Sequence, residues 1–133
     1  MKSDLTEIES TLRELLKAQV PKLRVRKDEA SVLEVCGTKE AMQGKQKVDG
    51  YYFASVVPKP KDIRLYYFPI YTHAAAFSPS DELRKCLKGK SCFHIKKLSP
   101  ELESEISEMI ETGVRLYDND GLEALKCCLS SNQ

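Results

Sequence analysis

Residues Ser91 to Leu98 read S-C-F-H-I-K-K-L, and the alternation in that stretch decides how the chain is layered. Successive side chains of a strand point to opposite faces. Phe93 and Ile95 therefore share one face, while Cys92, His94 and Lys96 share the other. Two strong hydrophobes favour the core, which sends the thiol, the imidazole and the ammonium to the open face. There they are neighbours, roughly 7 Å apart along the strand.

The segments before it extend the same face. "GYYFASVV" (Gly50 to Val57) and "IRLYYFPIY" (Ile63 to Tyr71) are rich in aromatic and β-branched residues and read as strands. The linker "PKPKD" between them predicts an antiparallel hairpin with a longer loop. Pro58 and Pro60 cannot donate to a ladder, which suits that loop, and Pro69 predicts an end or a bulge in the second strand. If Leu65 points inward, Arg64 and Tyr66 join the open face. In the first strand Tyr51, Phe53, Ser55 and Val57 form one set and Tyr52, Ala54 and Val56 the other; both are apolar, so the pattern does not choose between them. The expected ligand-binding residues are His94, Cys92, Lys96, Arg64 and Tyr66. Cationic and aromatic groups on an open sheet face can bind an anion, a flat ligand or another protein. An ordinary amphipathic outer face explains the same residues.

Helical patterns flank the strands. From Asp4 to Gln19, Leu5, Ile8, Leu12, Leu15 and Leu16 recur at spacings of three and four and make one apolar stripe. Asp4 with Glu7 has the form of a capping box, and Pro21 ends the helix. The basic stretch Lys22 to Lys27 could be a phosphate-binding patch, but such a run more often reads as a solvated connection. "ASVLEVCGT" is a strand or a short helix, and "KEAMQGKQKVDG" is a polar loop and the expected mobile segment. "SPSDELRKCLKGK" predicts a short helix with Ser78 as cap, Pro79 at the first helical position and Gly89 as the stop. A long helix begins at the cap Ser99, with Leu102, Ile106, Met109, Ile110 and Gly113 on its inner face. Asn119, Asp120 and Gly121 read as a turn, and "LEALKCCL" as a marginal last helix. This order predicts a single α+β domain over residues 1–133, a two-layer sandwich with two long helices on one face of an antiparallel sheet.

Totals exclude several classes. A chain of 133 residues can bury roughly two-thirds of its unfolded surface and needs neither disulfide nor metal for a core. Lys plus Arg is 21 against 20 for Asp plus Glu, which argues against a nucleic-acid partner held by bulk charge, though not against local patches. No apolar run approaches the ~20 residues of a membrane span, so no membrane partner is expected. The five cysteines, Cys36, Cys86, Cys92, Cys127 and Cys128, are odd in number and include no C-x-x-C pair. With a polar opening segment in place of a signal peptide, they read as reduced thiols of a cytoplasmic protein.

Motifs for chemistry are incomplete. Cysteine catalysis needs an imidazole within hydrogen-bond reach of the sulfur, and residues two apart on a strand diverge. Cys92, His94 and His73 could hold zinc or copper if His73 approached the sheet, but a fourth ligand is missing. Glu101, Glu105, Glu108 and Glu111 share a helix face and could hold a hard cation weakly. "KGKS" (Lys88 to Ser91) lacks the full phosphate-loop pattern. No catalytic residue and no metal ligand are assigned.

The stretches "DGYYFASVVPKPKDIRLYYFPIYTHAAAF" and "LKGKSCFHIKKLSPELESEISEMIETGVRLY" resemble the YdhG-like family of small domains of unknown function. The likeness runs from roughly Gly50 to Tyr117 and is most specific at "KGKSCFH". It implies a frataxin-like two-layer sandwich. Some relatives are described as iron chaperones, so iron becomes a possible cofactor, held by carboxylates of the kind that helix one carries at Asp4, Glu7, Glu9 and Glu14. The family brings no established catalytic residues. The expected function is a non-catalytic cytosolic binding module, monomer or homodimer, using its open sheet face for a small ligand or protein partner. The alternatives are an iron-binding chaperone and, less favoured, an enzyme using Cys92 and His94.

Overall fold

A computed structural model of the chain describes residues 2–38, 41–43, 46–48 and 52–120, with side chains for 2–38 and 52–117. Helix α1 (Leu5–Lys17) opens with Asp4 as N-cap, its carboxylate accepting from the Thr6 amide, and buries Ile8, Leu12 and Leu16. Leu5 and Leu15 flank that stripe, partly buried against the core. Strands β1 (Arg24–Glu29) and β2 (Val32–Cys36) follow, then the short pair β3 (Ala41–Gln43) and β4 (Gln46–Val48), then β5 (Tyr52–Pro58) and β6 (Ile63–Tyr67). After the one-turn helix α2 (Pro69–Thr72) come α3 (Asp81–Cys86), β7 (Leu87–Lys88), β8 (Cys92–Ile95) and α4 (Pro100–Asp120).

Six strands form one antiparallel sheet in the order β1-β2-β5-β6-β8-β7, and β3 and β4 pair separately. The protein is therefore α+β. The inward residues Leu33, Val35, Ala54, Val56, Ile63, Leu65, Tyr67, Phe93 and Ile95 join Ile8, Leu12 and Leu16 of α1 and Leu102, Ile106 and Ile110 of α4 in one buried cluster. Arg13 ties α1 to the β1–β2 turn, bonding Asp28 and the carbonyls of Glu29 and Ala30.

Several elements differ from the sequence reading. The basic stretch is not merely a connection: Arg24–Glu29 is an edge strand, almost wholly exposed, so it shows no apolar alternation to read. "ASVLEVCGT" resolves to strand. The segment expected to be a polar loop contains β3 and β4; its remaining residues 39–40, 44–45 and 49–50 lie outside the described set. The α3 cap is Ser80, not Ser78, and accepts from the Leu83 amide. That helix ends at Cys86 before Gly89 is reached; Gly89, at φ 73°, instead makes the β7–β8 turn that an L side chain would strain. Asn119 and Asp120 are helical rather than a turn. Gly121, "LEALKCCL" and the Cys127-Cys128 pair lie outside the described residues. The β5–β6 hairpin, the stop before Pro69 and the Ser99 cap appear as expected, Ser99 accepting from the Leu102 amide.

Neither alternating set of β5 is correct as a whole. Val35 pairs with Ala54 but Cys36 pairs with Tyr52, so Phe53 is the extra residue of a β-bulge. The bulge lets Phe53 turn inward beside Ala54. Its ring meets Tyr67 and Tyr117 edge-on, at centroid distances of 5.4 and 5.1 Å. Tyr52 is thereby turned to the other side with Ser55, its hydroxyl 2.8 Å from the Ser55 Oγ.

Candidate functional site

Phe93 and Ile95 are fully buried, whereas Cys92 and His94 are half-buried, so β8 has the parity its sequence predicts. In register with it on β6, Arg64 lies opposite His94 and Tyr66 opposite Cys92. Lys88 of β7 lies opposite Cys92 on the far side, and Ser55 of β5 opposite Tyr66. Four of the five expected residues thus fall in two adjacent rows on the sheet side away from the buried cluster. Lys96 is exposed but sits one residue past the end of β8, where the pleat no longer determines its side.

A carboxylate that the sequence reading missed organises this group. Asp62, at the start of β6, is 6% exposed. One of its oxygens accepts from Arg64 Nε at 3.2 Å and the other lies 3.5 Å from His94 Nδ1. It was hidden in the linker "PKPKD", yet its position two residues before Arg64 places both on one face of an extended chain. Burying a carboxylate is costly unless it is paired, and the guanidinium and imidazole supply the partners. The Asp62 contact raises the Arg64 pKa, and the Tyr66 hydroxyl adds a smaller contribution in the same direction.

Burial pushes the Cys92 thiol above its ordinary value. The Tyr66 hydroxyl and the Arg64 charge partly offset that shift, and Asp62 adds to it. A thiol so placed is a poorer nucleophile at neutral pH than a free cysteine. Burial likewise holds the Tyr52 hydroxyl at a pKa of about 12. The rows therefore form a connected chain of polar groups, His94–Asp62–Arg64–Tyr66–Cys92. An aromatic band continues from them: Tyr52 to Phe68 at 5.7 Å, Phe68 to Tyr71 at 5.8 Å, with Lys90 Nζ 5.2 Å from the centre of the Tyr71 ring.

The metal alternatives are not assembled. His73 bonds Thr72 and lies against Tyr117, and no three His, Cys, Asp or Glu side chains among the described residues converge as a metal site would require. Glu105 bonds Ser80, and Glu103 pairs with Lys2. A separate groove of about 450 Å³ is lined by Leu15, Leu98, Ser107, Glu108 and Glu111. Among the described residues no helix is long and apolar enough to cross a membrane. No protein-family model matches the chain, nor does any curated protein or solved structure.

Proposed function

We propose that this protein is a non-catalytic, cytosolic binding module whose open sheet face receives a small ligand or a partner. The observation that carries this reading is the outward row of Arg64, Tyr66, Cys92 and His94 around the buried Asp62. Its polar groups orient one another, as a site needs before a ligand arrives. In the same proposal the two long helices form one layer and the sheet the other, the frataxin-like sandwich that the likeness to YdhG-like domains implies. The raised Cys92 pKa supports binding over cysteine catalysis. The iron-chaperone reading has less support, because Glu9, Glu103 and Glu105 are engaged by Arg13, Lys2 and Ser80.

Amide-shift mapping of the labelled protein against a library of small fragments tests the main reading. Perturbations clustered on β6 and β8, at Arg64, Tyr66, Cys92 and His94, are expected. Perturbations confined to the α1–α4 groove, or none on those two strands, would overturn it. Ferrous iron added to the same sample should leave Glu7, Glu101 and Glu105 without selective line broadening.

A further inference from the structure

The near-zero net charge hides an uneven distribution. Between Leu83 and Pro100 the chain carries Arg84, Lys85, Lys88, Lys90, Lys96 and Lys97 and no acidic residue, which leaves the remainder net acidic. Part of that excess falls on the open face. Lys88 shares it with Cys92, and Lys90 in the β7–β8 turn covers Tyr71. The carboxylates on the same side are already neutralised, Asp62 by Arg64 and Glu34 by Arg26 at 3.5 Å. Neither Lys88 nor Lys90 has an ion-pair partner among the described residues.

Cations and rings alternate along this surface instead of converging on a point. Tyr71 and Lys90 stand at one end, Tyr66 and Lys88 in the next row, Arg64 and His94 in the row after. Rows on one face of a strand repeat every ~7 Å. Such a band suits a polymer with repeated charges and repeated flat groups better than one compact anion. Aromatic rings give every base a stacking partner, and lysines neutralise phosphates without reading sequence. An acidic polypeptide would use the lysines and leave the rings unused.

We propose that the open face is a platform for single-stranded nucleic acid, with bases stacked on Tyr66 and Tyr71, and with Lys90 swinging off the Tyr71 ring to meet a phosphate beside Lys88. This rests on the open-face reading and names its occupant, local charge overriding the balance of the whole chain.

Fluorescence anisotropy of a labelled oligothymidylate of about 20 nucleotides, with the full chain at low salt, tests it. Binding should weaken steeply as salt rises. Lys88→Glu with Lys90→Glu should lower affinity by roughly tenfold or more and flatten the logarithmic salt slope by about 1.4, at ~0.7 per lost phosphate contact. Tyr71→Ala should cost about fivefold or more through lost stacking. Lys22→Glu, a single charge reversal in the turn before the opposite edge strand, should stay within about twofold. Circular dichroism confirms that each variant is folded. Absence of binding at low salt overturns the proposal. So does a Lys22→Glu loss equal to that of the double variant, an unchanged affinity for Tyr71→Ala, or equal displacement by polyglutamate. If small fragments shift β6 and β8 while the oligonucleotide leaves anisotropy flat, this inference fails and the open-face reading stands.

Discussion

The Tyr67 hydroxyl donates to the Met109 carbonyl, joining the centre of the sheet to the middle of α4. The approach is possible because the next turn of that helix carries Gly113. A Cβ built there would collide with the hydroxyl and lie 3.0 Å from the Phe53 ring. Gly113→Ala should therefore destabilise the fold by about 3 kcal/mol through overpacking, despite the better helix propensity of alanine. Tyr67→Phe alone should cost about 1 kcal/mol. Because the worst clash is with the hydroxyl, the double variant should recover about 1 kcal/mol of the summed losses. Urea unfolding of all four proteins measures this, and strictly additive losses would refute the contact.

Helices α3 and α4 exchange carboxylates at their caps. Ser80, the α3 cap, donates both its amide and its hydroxyl to Glu105 of α4; Ser99, the α4 cap, donates its hydroxyl to Glu82 of α3 at 2.9 Å. Each serine oxygen also receives an amide of its own helix. Ser99→Ala should cost about 1–2 kcal/mol, because the site is buried, and Ser80→Ala about 0.5–1 kcal/mol. Ser99→Ala and Glu82→Ala should couple by at least ~0.5 kcal/mol. Independent effects in thermal unfolding of the pair would show that the bond contributes nothing.

What the sequence made legible follows from where burial is one-sided. In β8 and β6, Phe93, Ile95, Ile63, Leu65 and Tyr67 are buried and their alternates are not, so period-two reasoning works. In β5, Phe53, Ala54, Ser55 and Val56 are all buried, and a bulge hides inside the apolar run. Alternation carries no information about an extra residue when both neighbours are apolar. The edge strand β1 fails for the opposite reason, since only Val25 is even partly buried. Asp62 was illegible because its importance depends on His94, a residue of a different strand, closing the other side of the carboxylate.

Tyrosine burial makes the fold sensitive to alkali. Tyr52 is held near pKa 12 and Tyr67 is pushed further up, both chiefly by burial, with the Ser55 hydroxyl and the Gly113 amide opposing. Folded-state values above the unfolded value mean that the native protein keeps protons the unfolded chain gives up. Their stabilising contribution is full below about pH 10 and is lost as pH rises toward and through 12. Stability should fall by at most about 1.4 kcal/mol per pH unit for each residue above pH 10. Tyr67→Phe should remove part of that slope. A native absorbance titration in which all six tyrosines ionise together near pH 10 would rule this out.

Reactivity of Cys92 reports on the polar chain around it. Burial raises its pKa first, Tyr66 and Arg64 lower it, and Asp62 raises it again. Asp62→Asn removes the neighbouring negative charge while keeping the shape, so the thiolate fraction at pH 8 should rise and labelling should quicken. Arg64→Met and Tyr66→Phe should each slow it, because each removes a group that favours the thiolate. Changes of about twofold to tenfold are expected, one pKa unit being a factor of ten in thiolate below the pKa. Peptide-level mass spectrometry after a brief pulse of iodoacetamide separates Cys92 from the other thiols, with Cys86 on α3 as the internal standard. Opposite responses to Asp62→Asn and Arg64→Met, with Cys86 unchanged, are the signature of a connected site. If all three variants quicken labelling alike, they have loosened the strand pair, and the electrostatic account of the outer rows is wrong.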